Sequence, residues 1–107
     1  MVKKVPFDVR LANDVVDEHL DWIESKFRHL VLAAIEEQLT YEPLTPTRNR
    51  KPMDPSSYGE DLWEIRFGPS NTLRAVYSVD PEKRVVEVVA VGVKQGNRIM
   101  IAGKELA

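Results

Sequence analysis

The spacing of apolar residues changes once along this chain, and that change confines the fold more than any other feature. Val16, Leu20, Ile23, Phe27, Leu30, Val31, Ala34, Ile35 and Leu39 recur mostly at steps of three and four, as on a helix with one buried face. No Gly or Pro interrupts them before Pro43, so the spacing predicts helix over 14–40, with Asn13 or Asp14 as its cap and Asp17 and Glu18 in its first turn. A break near Glu24-Ser25-Lys26 would fold it into a helical hairpin, which the periodicity permits without requiring. From Trp63 onward the period is two. Trp63, Ile65 and Phe67 alternate with Glu64 and Arg66, and Leu73, Ala75, Tyr77 and Val79 with Arg74, Val76 and Ser78.

The remaining segments fit around these two blocks. Val5, Phe7, Val9 and Leu11 alternate with polar neighbours as a strand does, and Pro6 suits an edge position. Residues 43–61, with Pro43, Pro46, Pro52 and Pro55, read as a long connection in which Arg48-Asn49-Arg50-Lys51 is embedded. Gly68-Pro69-Ser70-Asn71 and Asp80-Pro81-Glu82-Lys83 read as turns, and Val85 to Val93 as a nearly all-apolar central strand. A chain of 107 residues is too short for two cores. The reading is one α+β domain over 1–107. An N-terminal strand and a C-terminal three-stranded meander form a small antiparallel sheet, with a long helix or helical hairpin packed on one face.

Composition removes several function classes. No apolar run approaches the roughly 20 residues of a membrane-spanning helix. The start, Met-Val-Lys-Lys-Val-Pro, is not followed by the apolar stretch of a signal peptide, so we expect a cytoplasmic protein with no membrane partner. With no cysteine and two histidines, ten residues apart on the expected helix, we expect no disulfide, metal or other cofactor, and read His19 and His29 as surface or boundary residues. Asp14, Asp17, Glu18, Asp21 and Glu24 read as a solvated helix face. The net charge of -2 hides an asymmetry. Residues 1–44 hold five Lys/Arg against nine Asp/Glu, residues 45–107 ten against eight, so cationic chemistry belongs to the second half.

There the strand parity leads to a specific inference. If Trp63, Ile65 and Phe67 share a buried face with Leu73, Ala75 and Tyr77, then Phe67 lies opposite Leu73, Ile65 opposite Ala75, and Arg66 opposite Arg74. Like charges across a ladder require an anionic neighbour. That neighbour is either a carboxylate, with Glu64 and Glu87 as candidates, or a bound phosphate. Arg48, Arg50 and Lys51 before the sheet, and Lys94 and Arg98 around Gly96, are further cations that could converge on a phosphate. Such a cluster suits RNA cleavage by 2′-hydroxyl attack, where preorganised donors meet the charge that builds on phosphate. We expect both arginines to project together into an open concavity.

The order of elements, with Arg48-Asn49-Arg50-Lys51, Leu62-Trp63-Glu64-Ile65-Arg66-Phe67-Gly68, Leu73-Arg74-Ala75-Val76-Tyr77 and Val88 to Lys94, resembles the RelE/ParE superfamily of type II toxin-antitoxin toxins. The resemblance implies a helical pair packed on a small antiparallel sheet. It further implies a ribosome-dependent mRNA endonuclease that needs no metal, with Lys51, Arg66 and Arg74 in catalysis and Arg48, Arg50, Lys94 and Arg98 on nucleic acid. A cognate antitoxin covering the basic face would be the protein partner, and the ribosome with its mRNA the target. Two departures keep the ParE branch, which inhibits DNA gyrase, and a non-toxic homologue as alternatives. No tyrosine follows Tyr77, where RelE-type nucleases often bear a C-terminal one, and the pI is near 5.7.

Overall fold

The helical and extended blocks form two layers in the computed structural model, which describes residues 5–106. The chain runs β1 (Asp8–Leu11), α1 (Asn13–Asp17), a 3₁₀ turn (His19–Trp22), α2 (Ser25–Leu39), β2 (Arg50–Pro52), β3 (Trp63–Phe67), β4 (Leu73–Asp80), β5 (Val85–Gln95), β6 (Arg98–Ile101) and β7 (Lys104–Glu105). The sheet has the order β2-β3-β4-β5-β6-β7, with β1 added to the free edge of β5. This is the expected α+β architecture, an antiparallel sheet with helices on one face. Residues 1–4 of the sequence start, read above for a leader, lie outside the described residues.

Several boundaries differ from the sequence reading. The N-terminal strand is shorter than the alternation over 5–11 suggests, and it pairs with β5 in parallel, Asp8 to Val85 through Leu11 to Val88. The helix expected over 14–40 is broken twice. A five-residue α1 leads into the 3₁₀ turn, and Ile23 and Glu24 are extended or non-helical before α2 begins. The N-cap is Ala12, with no side-chain bond, and not Asn13 or Asp14. Because the first turn is wound differently, Val15 is fully buried and Val16, counted in the apolar series, is 53% exposed. The loop over 43–61 contains β2, and the meander continues past Val93 into β6 and β7.

The main core lies between α2 and the sheet. Val31, Ile35 and Leu39 pack with Ile65, Leu73, Ala75, Tyr77, Val86, Val88 and Val91. The odd positions of β3 and β4 thus face the helix, as their alternation requires. Buried Tyr77 donates its hydroxyl proton to the Pro43 carbonyl at 2.6 Å, fastening the start of the long connection to the sheet. A second cluster of Leu62, Val76, Ala90 and Ile101, with Met53, Val89, Ile99 and Leu106 against it, sits apart from the first. Val76 belongs to the even set of β4, so this cluster covers part of the face away from the helices.

Candidate nucleic-acid interface

The register of β3 on β4 pairs Phe67 with Leu73, Arg66 with Arg74 and Ile65 with Ala75. The register of β2 on β3 pairs Lys51 with Glu64 and Arg50 with Ile65. Directly opposed residues share a face, so Lys51, Glu64, Arg66 and Arg74 stand together on the face away from α2. Lys51 and Arg66 are diagonal neighbours, about 7–8 Å apart at the backbone. Glu64 is the anionic neighbour that two facing arginines require, its Oε1 accepting from Arg66 Nε at 3.1 Å. Glu87 is not: it lies opposite Ser78 and Arg10, four residues along β4 from Arg74, or about 13 Å of strand.

The two arginines do not project together. The Arg66 side chain keeps 35% of its exposure, and its bond to Glu64 uses only Nε. Arg74 is 4% exposed, and its guanidinium turns back along its own strand to donate to the carbonyls of Asn71 and Leu73. Burial, and after it the charge of Arg66, lower the Arg74 pKa, with Glu64 opposing. The register partner of Arg74 on β5 is Gly92. The expectation of two guanidiniums in an open concavity is therefore half met. One is presented and the other lies beneath the surface beside it.

The other expected cations divide by the pleat. Lys94 is exposed and two residues beyond Gly92, on the same face as Arg74. Arg48 is exposed in the loop before β2, next to Asn49, whose carbonyl accepts the Arg66 N–H at 2.8 Å. Arg50 is not part of this face. It is 5% exposed beside the end of α2, where Nε donates to the Thr45 carbonyl at 2.8 Å and Nη1 to the Gln38 carbonyl at 2.6 Å. The Gln38 carbonyl lies in the last turn of α2, where carbonyls have no partner within the helix, and the Thr45 carbonyl lies in the loop after it. Arg98 pairs with Gln95, whose parity is that of the helix side, so it leaves the group as well. Among the described residues no three His, Asp or Glu side chains are grouped as metal ligands would be, and no helix is long and apolar enough to cross a membrane.

Two features escaped the sequence reading. The chain between β2 and β3 folds over the sheet: Met53 N–H donates to the Leu62 carbonyl at 2.9 Å, and Ser56 and Gly59 exchange two bonds at its tip. At that tip the Tyr58 and His19 rings meet in a T-shaped arrangement, 6.1 Å between centroids. His19, expected at the surface or its boundary, is 4% exposed. Its Nδ1 accepts the Val91 N–H at 3.3 Å on the stretch of β5 that lies between the pairings with β1 and β6. Burial lowers its pKa against the opposing pull of Glu18 and Asp14. Its place four residues after Val15 and four before Ile23 was the available signal.

The fold has counterparts among known proteins. A chain of the toxin-antitoxin complex RelBE2 from Mycobacterium tuberculosis superposes with a TM-score of 0.67 at 25% identity, over 86% of this chain and 95% of that one. No curated protein matches the sequence. The likeness to that chain is a remote relationship to the RelE/ParE-like toxin-antitoxin superfamily, without assignment to a particular member. The family profile described as phage derived protein Gp49-like (DUF891) matches residues 18–107, a span that holds both helical breaks, all of β2 to β7 and every residue of the cationic face. This chain belongs to the phage derived protein Gp49-like family.

Proposed function

We propose that the protein is the toxin of a toxin-antitoxin pair, acting as a single domain in the cytoplasm, and that it cleaves mRNA on the ribosome without a metal. The observation that carries this reading is Arg66, half exposed on the helix-free face, with Lys51 diagonal to it and the Arg74 charge directly across the ladder. In the reaction the ribose 2′-oxygen attacks the adjacent phosphorus. The bond to the 5′-oxygen breaks, and the 2′-hydroxyl proton is lost as the departing oxygen gains one, leaving a cyclic phosphate and a 5′-hydroxyl. Arg66 donates to the phosphate oxygens as charge builds, worth about 10²–10³ in rate for one such donor. Lys51, which has no ion pair among the described residues, supplies a point charge or the proton for the departing oxygen. Arg74 adds field from beneath, and Arg48 and Lys94 hold flanking phosphates.

The partner in this reading is an antitoxin whose acidic segment covers Arg66 and Lys51. Relationship to a chain taken from a toxin-antitoxin complex supports it. A second reading, inhibition of DNA gyrase by binding alone, is favoured by one observation: the Arg74 guanidinium is committed to backbone carbonyls. Controlled expression in a bacterium with mapping of transcript ends separates the two. Cuts inside translated codons, lost with Arg66→Ala, are the expected result. Intact transcripts with broken chromosomes would transfer the assignment to gyrase.

A further inference from the structure

Beside Arg66 the helix-free face dips into a groove of about 390 Å³, to which β2, the chain just after it, β3 and the C-terminal tail contribute. Its lining is chemically divided. Lys51 and Arg66 supply cationic donors, while the thioether of Met53 and the side chain of Leu106 supply apolar wall. That combination suits one nucleotide, with phosphate on the cations and a base face on the apolar side, and the volume is within the range of small-ligand sites. Two carboxylates also line the groove, and they are in different situations. Glu64 is paired with Arg66 at 3.1 Å, whereas Asp54 has no hydrogen-bond or ion-pair partner among the described residues. A free carboxylate in a phosphate-binding groove repels its ligand unless it binds another part of it.

The base edge is the part it can bind. A carboxylate accepts two parallel hydrogen bonds. Of the four RNA bases only guanine presents two adjacent donors, N1–H and the N2 amino group, on its Watson–Crick edge. Adenine and cytosine place an acceptor beside their amino group, and uracil flanks its single N–H with two carbonyls. Unstacked bases in single-stranded RNA are read by such edge contacts. We propose that this groove is a guanine-nucleotide subsite, in which Lys51 and Arg66 hold the phosphate, Met53 and Leu106 take the base face and Asp54 reads the guanine edge. The proposal rests on the RNA-binding reading of this face and adds which nucleotide it selects.

The test reads binding and not cleavage. Met53 reports on the groove, and Met100, whose register partner Val93 belongs to the helix side, serves as an internal control. The full chain, with its methionine methyls isotopically labelled, is titrated with GMP, AMP, CMP and UMP. The Met53 resonance is expected to respond to GMP at concentrations about tenfold or more below those of the other three, the scale of one bidentate base contact. Asp54→Asn, an exposed position without partners, is expected to erase that preference and leave Met100 unmoved. Equal response to all four nucleotides, no response to any, or a preference that survives Asp54→Asn would overturn the proposal. Failure of the nuclease reading is distinguishable. Uncut transcripts with a GMP-selective Met53 leave the subsite standing, and cut transcripts with an indifferent Met53 remove the subsite alone.

Discussion

Arg66 and Arg74 are cross-strand partners, yet their guanidinium groups end in different environments, one half exposed against Glu64 and the other buried on the carbonyls of Asn71 and Leu73. Their alanine variants should therefore differ. Arg66→Ala is expected to abolish growth arrest while shifting stability by no more than about 0.5 kcal/mol, as for other surface positions. Arg74→Ala removes a buried guanidinium together with its bonds to the Asn71 and Leu73 carbonyls and is expected to cost about 1–3 kcal/mol. Urea denaturation of both variants alongside a growth assay checks the pair. Equal stability losses would mean that Arg66 is structural too.

Arg50 should behave as a fold residue and not as a nucleic-acid contact. It serves the carbonyls of Thr45 and Gln38 from one planar head, with Gln38 Oε1 at 3.2 Å and Glu42 at 4.0 Å. Arg50→Lys keeps the charge but cannot span those positions. A loss of about 1–3 kcal/mol is expected for the lysine variant. Thermal unfolding supplies the number, and a lysine variant as stable as the parent would return Arg50 to the list of candidate RNA contacts.

His19 makes stability depend on pH. The unfolded imidazole takes its proton near the ordinary pKa of about 6.5, whereas the buried one, with Nδ1 occupied by the Val91 N–H, takes it only at lower pH. Acidification thus favours the unfolded chain. The His19 contribution is complete above about pH 6.5 and is lost as pH falls towards the lowered folded value. His19→Gln should be less stable than the parent at neutral pH and show a shallower decline of Tm between about pH 7 and 5. Parallel pH profiles for the two proteins would contradict this.

Gly92 lies opposite Arg74, and a side chain there has no space. A Cβ would run into the Met100 carbonyl and come within 2.8 Å of Ile101 Cγ1. The first obstacle is backbone and cannot rotate away, so Gly92→Ala should push β6 from β5. Such overpacking costs about 1–3 kcal/mol. The shift in urea midpoint measures it, and amide exchange at Val93 and Met100, a register pair, should rise.

What could be read beforehand follows from how strongly each element is constrained by its own residues. The β3–β4 register was legible because three apolar residues on each strand allow only one parity, and Arg66 opposite Arg74 followed without further information. β2 was not legible, because three residues ending in Pro52 carry no alternation. The first helical turn was misread because Val15 and Val16 are adjacent and both apolar: a continuous helix over 14–40 selects Val16, whereas the separate five-residue α1 buries Val15. The direction of the Arg74 head was beyond parity altogether. Parity fixes a face, while the carbonyls of Asn71 and Leu73 fix where this long side chain lies on it.

The placement of Arg50 and Lys51 on opposite sides of β2 has an electrostatic consequence for any polyanion approaching this protein. Counted by formal charge, the tetrad from Arg48 to Lys51 would offer three cations to one strand of RNA. Pleating withdraws one of the three into the helix layer, where it acts as an internal tie, and an incoming phosphate chain meets a shorter, sparser line of attraction than the written letters imply.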